Sequence, residues 1–117
     1  MISVGFPPTY EERVHFRRVS DAELMDAVYE AFRRLGWSPH VTGRWEITGS
    51  TPWVPFLSYG SQVIARAEGD GELYVRSQSS FPLAWIDWGV NHGHVNRLLA
   101  ELEHLLRVRA RPCHDRD

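Results

Sequence analysis

Asp87, Asn91, His92 and His94 crowd one short stretch of this chain, and they are the side chains best suited to ligate a metal or move a proton. Their spacing argues against both. On a helix His92 and His94 would point about 200° apart. Only Asp87 with Asn91, or His92 with Asn96, would share a face at four-residue spacing. Neither the two-histidine spacing of a zinc protease nor a Cys/His pair is present, so no metal site and no catalytic residue is expected. Asp87 reads instead as a helix N-cap, with Asn91 as the alternative, and both histidines read as solvated first-turn residues. His15 alternates with core positions on a strand and reads as a surface or hydrogen-bonded histidine. His40, beside Pro39, has no evident partner in the sequence. No Gly-x-Ser-x-Gly elbow occurs, and Gly69-Asp70-Gly71 is no phosphate loop, because no lysine follows it.

Aromatic residues form the denser pattern. Trp53, Phe56, Tyr59, Phe81, Trp85 and Trp88 fall in one long Pro-rich loop and one strand-to-helix junction. Two readings stand side by side. The rings close over the open end of the fold, with indole N–H groups finding carbonyls. Alternatively they line an apolar pocket or form a patch for a partner. On the second reading the candidate ligand or partner surface is Trp53, Phe56, Tyr59, Trp85, Asp87, Trp88 and Asn91. The function expected from it is a non-enzymatic binding or assembly module taking a small apolar ligand or a protein, with no cofactor. The alternative is a small enzyme with an acid/base pocket between sheet and last helix, using Asp87 with His15 or His92. No reaction-specific spacing supports that alternative.

The totals narrow these classes. A chain of 117 residues is most simply one domain and can bury a core without staples. Its formal charge of −2 opposes nucleic-acid binding, so no nucleic acid is expected as a partner. All 13 basic residues are arginine, which removes any lysine Schiff base and matches the codon bias of a GC-rich genome. The one cysteine, Cys113, cannot staple the fold. No apolar run approaches the roughly 18 residues of a membrane span, and Met1–Pro8 lacks the form of a secretory leader. A soluble, cytoplasmic protein with no membrane partner is expected.

The elements that would position these residues follow from periodicity. Residues 1–12 read as an N-terminal arm, 13–108 as a single domain and 109–117 as a polar tail. Arg13–Val19 reads as a strand with Val14 and Phe16 on one face and His15, Arg17 and Val19 on the other. Ser20-Asp21-Ala22-Glu23 has the form of a capping box. Leu24, Met25, Val28, Ala31, Phe32 and Leu35 then recur at helical spacing, and Gly36 fits the left-handed position that ends a helix. Trp37–Val41 reads as a short strand that Pro39 sends to a sheet edge or a bulge, and Thr42-Gly43 as a turn. Arg44–Thr48 reads as a strand with Trp45 and Ile47 inward. Gly60–Ala67 alternates Val63, Ala65 and Ala67 against Gln62, Ile64 and Arg66. Glu68–Gly71 is a hairpin signal, followed by Leu73, Val75 and Ser77 against Tyr74, Arg76 and Gln78. The last helix should start near Trp88–Asn91, with Trp88, Val95, Leu98, Leu99, Leu102, Leu105 and Leu106 tracing a continuous apolar stripe. Arg107, Arg109 and Arg111 suit the negative end of its dipole.

The order β-α-β-β-β-β-α implies an α+β fold: a four- to five-stranded, mainly antiparallel sheet with both helices on one face. The opposite face would carry Arg17, Arg44, Glu46, Arg66, Arg76 and Gln78. With Ile64, Val19 and Tyr74 exposed among them, that face or an edge strand leaves a homodimer open.

This order resembles the TATA-binding-protein-like shape of many small bacterial domains. Ser79-Ser80-Phe81-Pro82 followed by Ile86-Asp87-Trp88-Gly89-Val90-Asn91 is similar to the Ser-rich strand and Asp-Trp-Gly-x-Asn helix start of bacterial proteins with that shape. Gly36-Trp37 and Ser58-Tyr59-Gly60-Ser61 are similar too. The resemblance spans roughly Arg13 to Leu106. Where those proteins carry basic residues after Asp-Trp-Gly, this chain has Val90 and His92. The shape is shared by unrelated activities and implies no function.

Overall fold

A computed structural model describes residues 9–51, 61–79 and 84–113, with the backbone alone described at 61, 79 and 84–91. The elements run β1 (Thr9–Phe16), α1 (Asp21–Leu35), β2 (Ser38–Gly43), β3 (Glu46–Ser50), β4 (Ser61–Gly69), β5 (Glu72–Ser79), α2 (Ala84–Leu106) and β6 (Ala110–Pro112). The strands make one antiparallel sheet ordered β2-β3-β4-β5-β1-β6. Both helices touch each other and the sheet. Val14, Phe16, Val63, Ala65, Leu73 and Val75 from the strands join one buried cluster with Leu24, Val28, Phe32, Val95, Leu98 and Leu102 from the helices. The fold is thus the expected two-layer α+β arrangement, with a sixth strand added.

Local chemistry sets the first helix. Ser20 accepts a hydrogen bond from the Glu23 amide at 3.1 Å, and the Glu23 carboxylate accepts one from the Ser20 amide at 3.3 Å, so the capping box forms. At the far end Gly36 adopts φ 77°. Its amide donates to the Arg33 carbonyl at 3.1 Å, and the Trp37 amide to the Phe32 carbonyl at 2.9 Å. That pair of bonds is a complete Schellman motif, and the Phe32 and Trp37 rings pack 6.0 Å apart to close it. Trp37 is therefore the helix stop and part of the core, and the strand expected to include it begins one residue later.

Pro39 does lie in an edge strand, paired across from Gly49. A register shift between Val41 and Gly43 carries β2 to Gly43 and moves the turn onto Arg44-Trp45. Trp45, expected inward, sits in that turn 37% exposed beneath the Arg44 guanidinium. Ile47 alone takes the inward place.

The β4–β5 hairpin turns where Gly69, Asp70 and Gly71 all take positive φ. Its tip is hooked to β1, because the Phe16 amide donates to the Gly71 carbonyl at 2.8 Å. The alternation expected along β4 and β5 holds: Val63, Ala65, Ala67, Leu73, Val75 and Ser77 are buried. On the other face the rows Glu46–Arg66–Tyr74–Arg13 and Thr48–Ile64–Arg76–Glu11 cross four strands. This face is more ordered than a merely water-facing one. Arg13 pairs with Glu68 at 2.8 Å, and Arg66 with Glu68 at 3.4 Å and Glu46 at 3.9 Å. Both guanidiniums stand 4.8 Å from the Tyr74 ring, whose hydroxyl donates to Glu11 at 2.6 Å. Tyr74 is buried beneath them, and Val19 belongs to the core, so neither is the exposed apolar residue expected there. Arg17 and Arg44 lie outside the strands and leave that face.

Three boundaries differ from expectation. Residues Thr9–Glu12, read as arm, pair with Val75–Gln78 as the first half of β1. Ala110–Pro112, read as tail, pairs with Val14–Phe16 and is tied down where the Ala110 amide donates to the Glu103 carboxylate at 2.9 Å. The last helix starts at Ala84 instead of near Trp88–Asn91. Asp87 is consequently inside the first turn and cannot be the N-cap, nor can Asn91, two turns in. Aspartate is favoured at both the cap and the first turn, because both meet the positive helix end, so the residue type alone does not separate them. Gly89 and Gly93 cost about 1 kcal/mol each in a helix interior, which buried Val95, Leu98, Leu99 and Leu102 offset. Among the described residues, no helix is long and apolar enough to cross a membrane.

Candidate functional site

One end of the two-layer body gathers the chemistry-bearing residues. α1 ends there at Leu35, β3 ends there at Ser50, β4 begins at Ser61, β5 ends at Ser79 and α2 begins at Ala84. Ser61 and Ser79 are register partners on adjacent strands, as are Ser50 and Gln62. Of the expected surface, Trp53, Phe56 and Tyr59 lie outside the described residues, as does Phe81. Trp85, Asp87, Trp88 and Asn91 are all in the first turns of α2. The side-chain surroundings of those four lie outside the described structure.

Beneath this end runs a polar and aromatic seam between sheet and α2. The His94 ring meets Trp37 edge-on at 5.2 Å, and its Nδ1 is 3.5 Å from the Ser77 hydroxyl. The Arg97 guanidinium also lies over the Trp37 ring, 5.7 Å from its centroid. His92 packs edge-on against Tyr10 at 4.7 Å, and the Asn96 amide is 3.4 Å from the His92 ring. The i,i+4 pairing of His92 with Asn96 is therefore real, while His92 and His94 engage different neighbours. His94 is half-buried rather than a solvated first-turn residue. The signal for it was its position four residues before Leu98, on the border of the apolar stripe. Tyr10 was hidden by the arm reading, and Ser77 is a polar residue at an otherwise apolar inward position.

Chemically the seam is a packing device more than a reactive centre. Ser77 is fully buried, so its hydroxyl is not presented to a substrate. Burial, with the Arg97 charge adding to it, holds the His94 imidazole below its usual pKa. His15, on β1 and opposite Glu72, is remote from His92 and from α2's first turns, so the grouping of Asp87 with His15 is not assembled; the pairing of Asp87 with His92 lies outside the described residues. Among the described residues, no three His, Cys, Asp or Glu side chains gather to hold a metal ion.

The depressed pKa of His94 has a thermodynamic consequence. The folded protein resists protonating this ring, whereas the unfolded chain takes up the proton near pH 6.5. Stability should therefore be pH-independent on this account above about pH 6.5 and should fall as the pH drops below it. Urea midpoints between pH 5 and 8 would show this, and His94→Gln should flatten the acid-side slope. An unchanged slope in the variant would remove His94 as its source.

No protein-family model matches the chain, and no curated protein does.

Proposed function

We propose that this protein is a non-enzymatic binding or assembly module whose working surface is its loop end, formed by Trp53, Phe56 and Tyr59 with Trp85, Asp87, Trp88 and Asn91. The observation that supports it is the pairing of Ser61 with Ser79. The chain bearing Trp53, Phe56 and Tyr59 joins β4 on the strand next to the one from which the chain leads to α2. Two aromatic-rich connections thus lead from neighbouring strand ends of one sheet, at the end of the fold where Trp37 and His94 pack edge-on. Connections carried by a fixed scaffold are the usual location of binding residues. The partner would be a small apolar ligand or the apolar patch of a protein, a second copy of the chain included, and not a nucleic acid.

The same reading places the chain among small bacterial, cytoplasmic domains of TATA-binding-protein-like shape, which the order β-α-β-β-β-β-α supports. Binding of the neutral apolar dye Nile red tests it. Wild type should bind saturably. Trp53→Ala and Phe56→Ala should each weaken binding about fivefold or more while shifting the melting temperature by only about 2 °C. A drop of ten degrees or more without any dye binding would make these rings core residues and end the proposal.

A further inference from the structure

The opposite pole of the molecule carries a second concavity that the loop-end reading does not use. The end of β1, the start of α1 and the end of α2 meet around a cavity of about 320 Å³. It is lined by Arg17, Arg18 and Arg107 together with an apolar floor of Val19, whose side chain is buried, and the half-buried Leu106 and Val108. Glu23 also lines it, but the Glu23 carboxylate is engaged with Ser20 in the capping box.

Charge is distributed unevenly over the fold. Arg13, Arg33, Arg34 and Arg66 each pair with a glutamate. Arg44 and Arg97 stack on tryptophans, and Arg76 donates to Gln78. By contrast, Arg17, Arg18 and Arg107, with Arg109 and Arg111 just beyond, are exposed and make no ion pair among the described residues. In a chain of net charge −2, the described arginines that neither pair with a glutamate, stack on a tryptophan nor donate to Gln78 are thus concentrated at this pole. Two of the groove arginines also occupy unusual backbone positions. Arg18 and Arg107 have φ of 61° and 57°. Glycine takes that conformation without strain and asparagine with little, yet arginine stands at both turns. The left-handed turn itself does not call for arginine at either position, although a cation at Arg107 also suits the end of α2; guanidinium groups held there are placed to meet an anionic ligand.

We propose that this groove binds an acidic peptide segment of a partner protein, with carboxylates on Arg17, Arg18 and Arg107 and an intervening apolar side chain on Val19, Leu106 and Val108. Guanidinium groups pair with carboxylates bidentately. An inorganic anion would leave the apolar floor unused, and a cavity of this size suits one or two side chains.

The test is a titration of the ¹⁵N-labelled full chain at low ionic strength with acetyl-Glu-Glu-Leu-Glu-Glu-amide. Amide shifts should centre on Arg17–Val19 and Arg107–Val108 and saturate by about 1 mM. The Gln-Gln-Leu-Gln-Gln analogue should bind at least about tenfold more weakly, and so should the Arg17→Glu/Arg107→Glu variant. Arg107→Asn, which keeps the left-handed turn accessible, should weaken binding severalfold with an unchanged spectrum elsewhere. The proposal is overturned by absence of saturation, by equal affinity for the glutamine peptide, or by shifts at the other pole. Tighter groove binding of inorganic phosphate, a DNA duplex or phosphatidylserine vesicles overturns it as well. Because Trp53 and Phe56 take no part, these outcomes are independent of the Nile red experiment.

Discussion

Replacing Trp37 with alanine should lower the unfolding free energy by about 3–5 kcal/mol, enough to threaten the folded state of a domain this size. Trp37 is 2% exposed, the bulkiest of the fully buried side chains among the described residues. Its removal leaves a void bordered by Phe32, His94 and Arg97. It also strips the apolar contact from the Schellman motif that ends α1, so the loss is felt at the helix stop and at the α1–α2 contact together. Trp37→Phe retains the contact with Phe32 and should lose about half as much. Equilibrium denaturation of both variants measures the difference. A loss under about 1 kcal/mol for Trp37→Ala would mean that the ring is not the keystone described.

Among the described glycines, Gly71→Ala should be the most damaging substitution, at about 3 kcal/mol. Gly71 has φ 80°, and a methyl group there would collide with the Phe16 carbonyl. The collision is with backbone, which cannot rotate away, and it lies at the hydrogen bond that hooks the hairpin to β1. Gly69 provides the internal comparison. Its φ is 97°, but its missing Cβ faces open space, so Gly69→Ala should cost only about 1 kcal/mol from the dihedral alone. Denaturation midpoints of the pair separate the two effects, and equal losses would show that the Phe16 contact contributes nothing.

What the sequence made legible was local. Ser20 with Glu23 and the glycine at 36 signal helix ends through bonds made within a few residues. The Glu68–Gly71 turn signals its hairpin in the same way, and Val63 to Ala67 alternates in a strand buried on one side. The errors arise where distant partners decide. Tyr10 and Glu12 carry no apolar alternation, yet they extend β1 because β5 offers them a full length of backbone to pair with. Ala110–Pro112 is too short and too polar to read as a strand, and it forms because Glu103 and β1 hold it. Trp45 looked inward by parity until the bulge at Val41–Gly43 moved the turn. At the loop end, composition marked the aromatic residues and topology brings their strand ends together, but His94 was misassigned because its neighbours come from α1 and β5. The arginine groove was invisible for a similar reason: Arg17 and Arg18 are distant in sequence from Arg107, whose charge seemed sufficiently explained by the helix end.

The placement of β1 between β5 and β6 governs the order in which this molecule can be assembled. β1 becomes an interior plank of the sheet, flanked on both sides by segments that a ribosome delivers much later. Nearly half the 117-residue sequence separates Phe16 from Glu72. Until that span has been translated, β1 has neither of its sheet neighbours to pair with, and its hydrophobic side has no sheet to join. Closing so wide a loop delays the folding transition, and Val14 and Phe16 stay uncovered until it closes.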